Sequence, residues 1–142
     1  MAYATLDDLL VVEPTIQDYG VLDWEAELTR SENEINRVLK VRWYLPYSKK
    51  HNSTAEFDST LITDSQFTQA AVYHALGYHI YPKLSAFTEA VDIFERKMQY
   101  YQGRFEHEMD LILREGVLYD LDDDGTVEKA EKAPVVSLRL RR

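Results

Sequence analysis

At 142 residues the chain is long enough for one domain with a real core, and its 45% hydrophobic content is ordinary for a globular protein. A formal net charge of −9 excludes binding to nucleic acid over the whole surface, because phosphates would be repelled. Cysteine is absent, which excludes disulfides, thiolate metal sites and cysteine nucleophiles. The opening MAYATLDDLL lacks a basic segment followed by a long apolar run, so it does not read as a secretory signal. No stretch approaches the roughly 20 apolar residues needed to span a bilayer. The expectation is a soluble protein made in a reducing compartment, with no membrane partner.

Thr5 is placed to cap a short first helix carrying Leu6, Leu9 and Leu10, with Asp7 and Asp8 in its first turn, where carboxylates favour the helix dipole. Pro14 ends that unit, and residues 15–22 form a connector. Asp23 reads as the next N-cap. Trp24, Leu28, Ile35, Val38 and Leu39 share one helical face, and the helix is expected to run to about Tyr44 and stop before Pro46. From Pro46 to Thr63 the chain is polar and lacks a helical period, although FDSTLIT could supply a short strand. Asp64 then caps a third helix through Phe67, Ala71, His74, Ala75 and Tyr78, limited by Gly77 and Pro82.

The organising element is the run from Lys83 to Glu115, which predicts one long helix. Phe87, Val91, Phe94, Met98, Tyr101, Phe105, Met109 and Ile112 recur at spacings of four and three, which places them on one stripe. Asp92 with Arg96, and Asp110 with Arg114, add exposed pairs four residues apart. Pro82 suits the first turn and Gly116 the far end. The stripe must be covered by the earlier helices or by a second subunit. A helical hairpin with the preceding helix is expected. The predicted fold class is all-α: a small helical bundle domain over residues 1–116, followed over 117–142 by an acidic loop and an extended C-terminal arm.

Asp120-Leu121-Asp122-Asp123-Asp124-Gly125-Thr126-Val127-Glu128-Lys129-Ala130-Glu131 matches the spacing of a calcium-binding EF-hand loop. Carboxylates stand at its first, third and fifth positions, a glycine at the sixth and a glutamate at the twelfth. Calcium takes six to eight oxygens, and the glycine permits the turn between them. Asp120, Asp122, Asp124, the Thr126 carbonyl, Glu128 and Glu131 are the candidate ligands. Gly116 interrupts the entering helix and Pro134 the exiting one, so the motif reads either as a structural calcium clip or as a solvated acidic turn. Beyond it, Val136, Leu138 and Leu140 alternate with Ser137, Arg139 and Arg141, a period of two that predicts an extended arm able to add to a partner's edge.

Charge is segregated. Arg37, Lys40, Arg42, Lys49 and Lys50 occur between Arg37 and His51 with no acid among them, and Arg139, Arg141 and Arg142 cluster at the end. Trp43, Tyr44 and Tyr47 are the only aromatics interleaved with the first group, which favours docking to an acidic protein surface, or simply solvated charge, over phosphate binding. Lys49, Lys50 and the arm residues Val136, Leu138, Arg139, Leu140 and Arg141 are the candidate interface. The four histidines, His51, His74, His79 and His107, show no i, i+4 metal spacing, and His74 reads as a core histidine. No nucleophile elbow, phosphate loop or redox pair is present, so an enzyme is not expected. Ten tyrosines suggest interfaces.

The plan as a whole resembles the head–tail connector, or adaptor, proteins of tailed bacteriophages. The opening Tyr3-Ala4-Thr5-Leu6-Asp7-Asp8-Leu9, the helix after Asp23, the Asp64 helix leading into the long helix, and the tail Ser137–Arg142 carry that resemblance. It implies a virion structural protein of the neck, made in the host cytoplasm. It also implies a homo-oligomeric ring, typically of twelve subunits, beneath the portal protein. Such a ring extends the DNA channel without binding DNA specifically and offers a platform to further neck or tail proteins. The alternative from a different class is a monomeric calcium-binding helical interaction module.

Overall fold

A computed structural model describes residues 3–86, 91–123 and 125, and within them the chain is all-α. Helix α1, Leu6–Val12, begins where expected: the Asp8 carboxylate accepts hydrogen bonds from the Thr5 backbone N–H at 2.9 Å and from Thr5 Oγ1 at 3.1 Å. The connector tightens into a 3₁₀ turn, Ile16–Tyr19, closed by Gly20 at φ +95°. Helix α2, Glu25–Leu39, follows. Asp23 caps it by accepting the Glu25 N–H at 3.0 Å, one residue outside the cap position proper.

The end of α2 departs from the sequence reading. Helical backbone does not stop before Pro46 but continues through a π-turn, Lys40–Tyr44, into α3, Leu45–Lys50, with Pro46 in the first turn of α3. In an uninterrupted α-helix, Pro46 would clash with the carbonyl four residues back and leave it without a donor. A π-turn inserts one extra residue and swings that carbonyl outward, so the proline is accommodated. The same device recurs. A 3₁₀ turn, Asp64–Phe67, leads into α4, Thr68–Ala75, a second π-turn, Leu76–Ile80, and α5, Tyr81–Ser85, with Pro82 in the first turn of α5. Pro82 and Lys83 therefore belong to this earlier run. The long helix, α6, is described over Val91–Glu115, and Phe87 lies outside the described residues.

Helix α6 runs antiparallel to the α4–α5 run. Gln66 reaches Gly116, His74 packs on Phe105, Gly77 meets Gln102, and Tyr81 packs on Phe94. Phe94, Tyr101, Phe105, Met109 and Ile112 are buried and Met98 is half-buried, so from Phe94 onward the stripe is covered by its own chain. The closest approach is at Gly77, where an added Cβ would stand 2.8 Å from the Gln102 amide nitrogen. Gln102 Nε2 donates to the Gly77 carbonyl at 3.0 Å across the same crossing. Glu13, at the end of α1, is buried and accepts hydrogen bonds from the Tyr101 hydroxyl and, at 3.1 Å, from Lys97 Nζ. On the surface, Arg114 and Asp110 form the expected pair at 3.0 Å.

Gly116, at φ +103°, ends α6 with its N–H on the Ile112 carbonyl. The strand expected in FDSTLIT reduces to one antiparallel bridge between Ile62 and Tyr119. Around it the Thr63 N–H donates to Leu118 and the Asp120 N–H to Leu61, each at 3.0 Å. With only this pairing available and no further strand beside it among the described residues, no sheet propagates. Beneath the bridge, Trp43, Tyr44, Tyr47, Phe57 and Tyr119 form an aromatic cluster that anchors the 51–63 loop: the Tyr44 hydroxyl donates to Ala55 and the Asp58 N–H to the Tyr119 hydroxyl. Six of the ten tyrosines (Tyr3, Tyr44, Tyr47, Tyr81, Tyr101 and Tyr119) are buried within the chain, which corrects the reading of tyrosine abundance as interface. The C-terminal arm lies outside the described residues.

Candidate functional site

His74 and His79 are five residues apart. In an α-helix that separation turns through about 500°, which leaves the two side chains about 140° apart. The second π-turn, Leu76–Ile80, takes up an extra residue between them and brings both onto one face, with ring centroids 5.4 Å apart. Glu34 meets them from α2. Its Oε2 stands 3.1 Å from His74 Nε2 and its Oε1 3.2 Å from His79 Nε2. The second contact falls short of a well-aligned hydrogen bond for the buried His79 Nε2, although the Glu34 carboxylate still pulls on that ring. The side chains of His74 and His79 are 7% and 6% exposed, whereas that of Glu34 is 44% exposed and opens the group to solvent on one side.

Burial holds both imidazoles neutral. It pushes His74 down to about 4 from the ordinary 6.5, against the opposing pull of Glu34, and it lowers His79 in the same direction. His74 Nδ1 lies 2.9 Å from the hydroxyl of Ser31, which is fully buried one helical turn before Glu34. Phe105 closes the inner wall, its ring edge-on to His74 at 4.7 Å. Two neutral imidazole nitrogens and a carboxylate thus converge from two elements, all within 4.8 Å of one another.

The acidic loop is described only over its first turn. Asp120 is buried, and its Oδ2 accepts the Gly125 N–H at 2.8 Å, while its carbonyl accepts the Asp123 N–H at 3.1 Å. Asp122 is exposed beside them. Asp124, Thr126, Glu128 and Glu131 lie outside the described residues, as do Val136, Leu138, Arg139, Leu140 and Arg141. Lys49 and Lys50 are exposed in the last turn of α3. Arg37, Lys40 and Arg42 are exposed as well, Arg42 standing 3.9 Å from Glu106, while Trp43, Tyr44 and Tyr47 are buried. A groove of about 430 Å³ runs between α3 and α6, lined by Val41, Arg42, Leu45, Pro46, Lys49, Asp110 and Leu113. Val41 and Leu45 lie open to solvent in it.

Lys49 and Lys50 lie on the surface as expected, whereas the histidine pair has no metal signature in the sequence, because a spacing of five matches no α-helical metal motif. The usable signal was the pair enclosing Gly77 with Pro82 just beyond: a proline inside a helical pattern calls for a wider turn upstream. No protein family model, curated protein or solved structure matches this chain. No helix of the described residues is long and apolar enough to cross a membrane.

Proposed function

We propose that this chain is a structural protein of a tailed-bacteriophage neck, a head–tail connector that assembles as a ring beneath the portal. The observation that carries the reading is the groove between α3 and α6: exposed apolar Val41 and Leu45 are flanked by Arg42, Lys49 and Asp110, with Lys50 exposed beside them in the last turn of α3, on a chain of net charge −9. Apolar centres with charged rims are how protein surfaces gain both affinity and orientation. The acidic remainder suits a channel wall that must let DNA slide past without holding it. The helical plan supports the same reading, and the arm from Val135 to Arg142 would lock neighbouring subunits or the portal by strand addition. The connector performs no chemistry.

Mass and electron microscopy of the full chain, alone and mixed with portal rings, test this. A ring, or a monomer that joins only on the portal, is expected. Charge reversal of Lys49 and Lys50 should weaken that assembly at least about tenfold, and deletion of Val135–Arg142 should abolish it while leaving helicity and melting temperature unchanged. A chain that stays monomeric beside the portal overturns the proposal. A monomer whose apolar exposure changes with calcium would support the calcium-binding interaction module instead.

A further inference from the structure

We infer that Glu34, His74 and His79 form a binding site for a zinc-class divalent transition metal, clipping α2 to the second π-turn. The donor set selects the class. Imidazole nitrogen suits zinc and its first-row neighbours, whereas calcium and magnesium demand oxygen throughout. The spacing fits as well. Ligand atoms at about 2.0–2.1 Å from a tetrahedral zinc stand about 3.4 Å apart. Here His74 Nε2 stands 3.1 Å from Glu34 Oε2 and His79 Nε2 3.2 Å from Glu34 Oε1, and one ligand atom from each of the three residues lies within 4.8 Å of the others, a spread that small side-chain shifts would close onto a metal. One carboxylate and two neutral rings leave a site of net charge +1 with a fourth position, and the half-exposed side at Glu34 lets water fill it.

A hydrogen-bonded trio without metal accounts for His79 less well than for His74. His79 Nε2 is buried, faces the Glu34 carboxylate and has no aligned partner, a costly arrangement for a polar atom that a metal–nitrogen bond would resolve. The outer shell is also in place. With Nε2 on the metal, His74 carries its proton on Nδ1 and donates it to Ser31 Oγ at 2.9 Å, which fixes the ring's tautomer and orientation. The π-turn supplies the geometry, since it alone brings residues five apart into one coordination sphere.

The test uses the full chain in excess calcium, which occupies carboxylate-only sites, with zinc measured by competition against a chromophoric chelator and cobalt by its visible absorption. One equivalent of zinc should bind, cobalt should give the intense band of a tetrahedral site, and zinc at about 100 times its dissociation constant should raise the melting temperature by roughly 5–10 °C. His79→Ala should weaken binding at least about 100-fold, more than the loss of an outer-shell partner costs. Glu34→Gln, on a half-exposed side chain, should weaken it at least about tenfold in a protein that still folds. Wild type that shows neither chelator competition nor the tetrahedral cobalt band overturns the site, as does undiminished binding in both variants.

Discussion

Gly77 offers the sharpest test of how the bundle is put together. Within helical backbone, replacing glycine with alanine ordinarily stabilises by about 1 kcal/mol, because alanine loses less backbone freedom on folding. At Gly77 the sign should reverse. The new methyl group would stand 2.8 Å from the Gln102 amide nitrogen and 3.2 Å from the Tyr101 carbonyl carbon, both of them backbone atoms of α6 that cannot rotate away. Overpacking of this kind costs about 1–3 kcal/mol. Pushing the helices apart also strains the 3.0 Å bond from Gln102 Nε2 to the Gly77 carbonyl, worth about 1 kcal/mol. Set against the gain in propensity, Gly77→Ala should destabilise by about 1–3 kcal/mol and lower the melting temperature by roughly 3–9 °C. Gly103 is the internal control: it lies exposed on α6 with nothing within 4 Å of an added Cβ, so Gly103→Ala should stabilise by about 0.5–1 kcal/mol. Urea unfolding followed by far-UV circular dichroism, with a chelator present, measures both. Equal gains at the two positions would refute the close crossing of the second π-turn over α6.

Phe94→Ala should cost about 3–5 kcal/mol in the same assay, since Phe94 is buried between Tyr19 and Tyr81, and a loss below about 1 kcal/mol would contradict that packing. Glu13→Ala should cost about 2–3 kcal/mol by leaving the Tyr101 hydroxyl without its acceptor, whereas Lys97→Met should cost under about 1 kcal/mol because Lys97 is partly solvated. The low His74 value has a definite sign. Its contribution to stability is complete above the unfolded value of 6.5 and is lost as pH falls toward about 4, because the unfolded chain takes up a proton that the folded chain refuses. In chelator-treated protein, His74→Gln should flatten the fall in the urea midpoint over that interval. An unchanged slope in the variant would show that other groups carry it. Calorimetry with calcium should give a binding isotherm that Asp120→Ala abolishes, and wild type with no heat at about millimolar calcium would leave the loop as an acidic turn.

The helical class and the face of the long helix followed from the sequence because a period of 3.6 residues needs no knowledge of neighbours. The buried Phe94, Tyr101, Phe105, Met109 and Ile112 were legible in this way, as were the Thr5 cap and the Gly116 stop, while the cap expected at Asp23 falls one residue later, at Trp24. So were the exposed Lys49 and Lys50, since long charged side chains stay in water. Boundaries at the prolines were not legible. Pro46 and Pro82 each read as a helix limit, yet each is carried inside helical backbone by a π-turn that tertiary packing stabilises. That Trp43, Tyr44 and Tyr47, interleaved with basic residues in the sequence, are core depends on the 51–63 loop and Tyr119 folding over them. The Glu34–His74–His79 group depends most on tertiary structure. Its carboxylate comes from α2, some forty residues away in the chain, and its two rings share a face only because a wider turn adds one residue between them. A one-dimensional period can say which side of a helix is wet, but it cannot say where an irregular turn will rotate that side, because the packing of α6 against Gly77 is settled between segments distant in sequence.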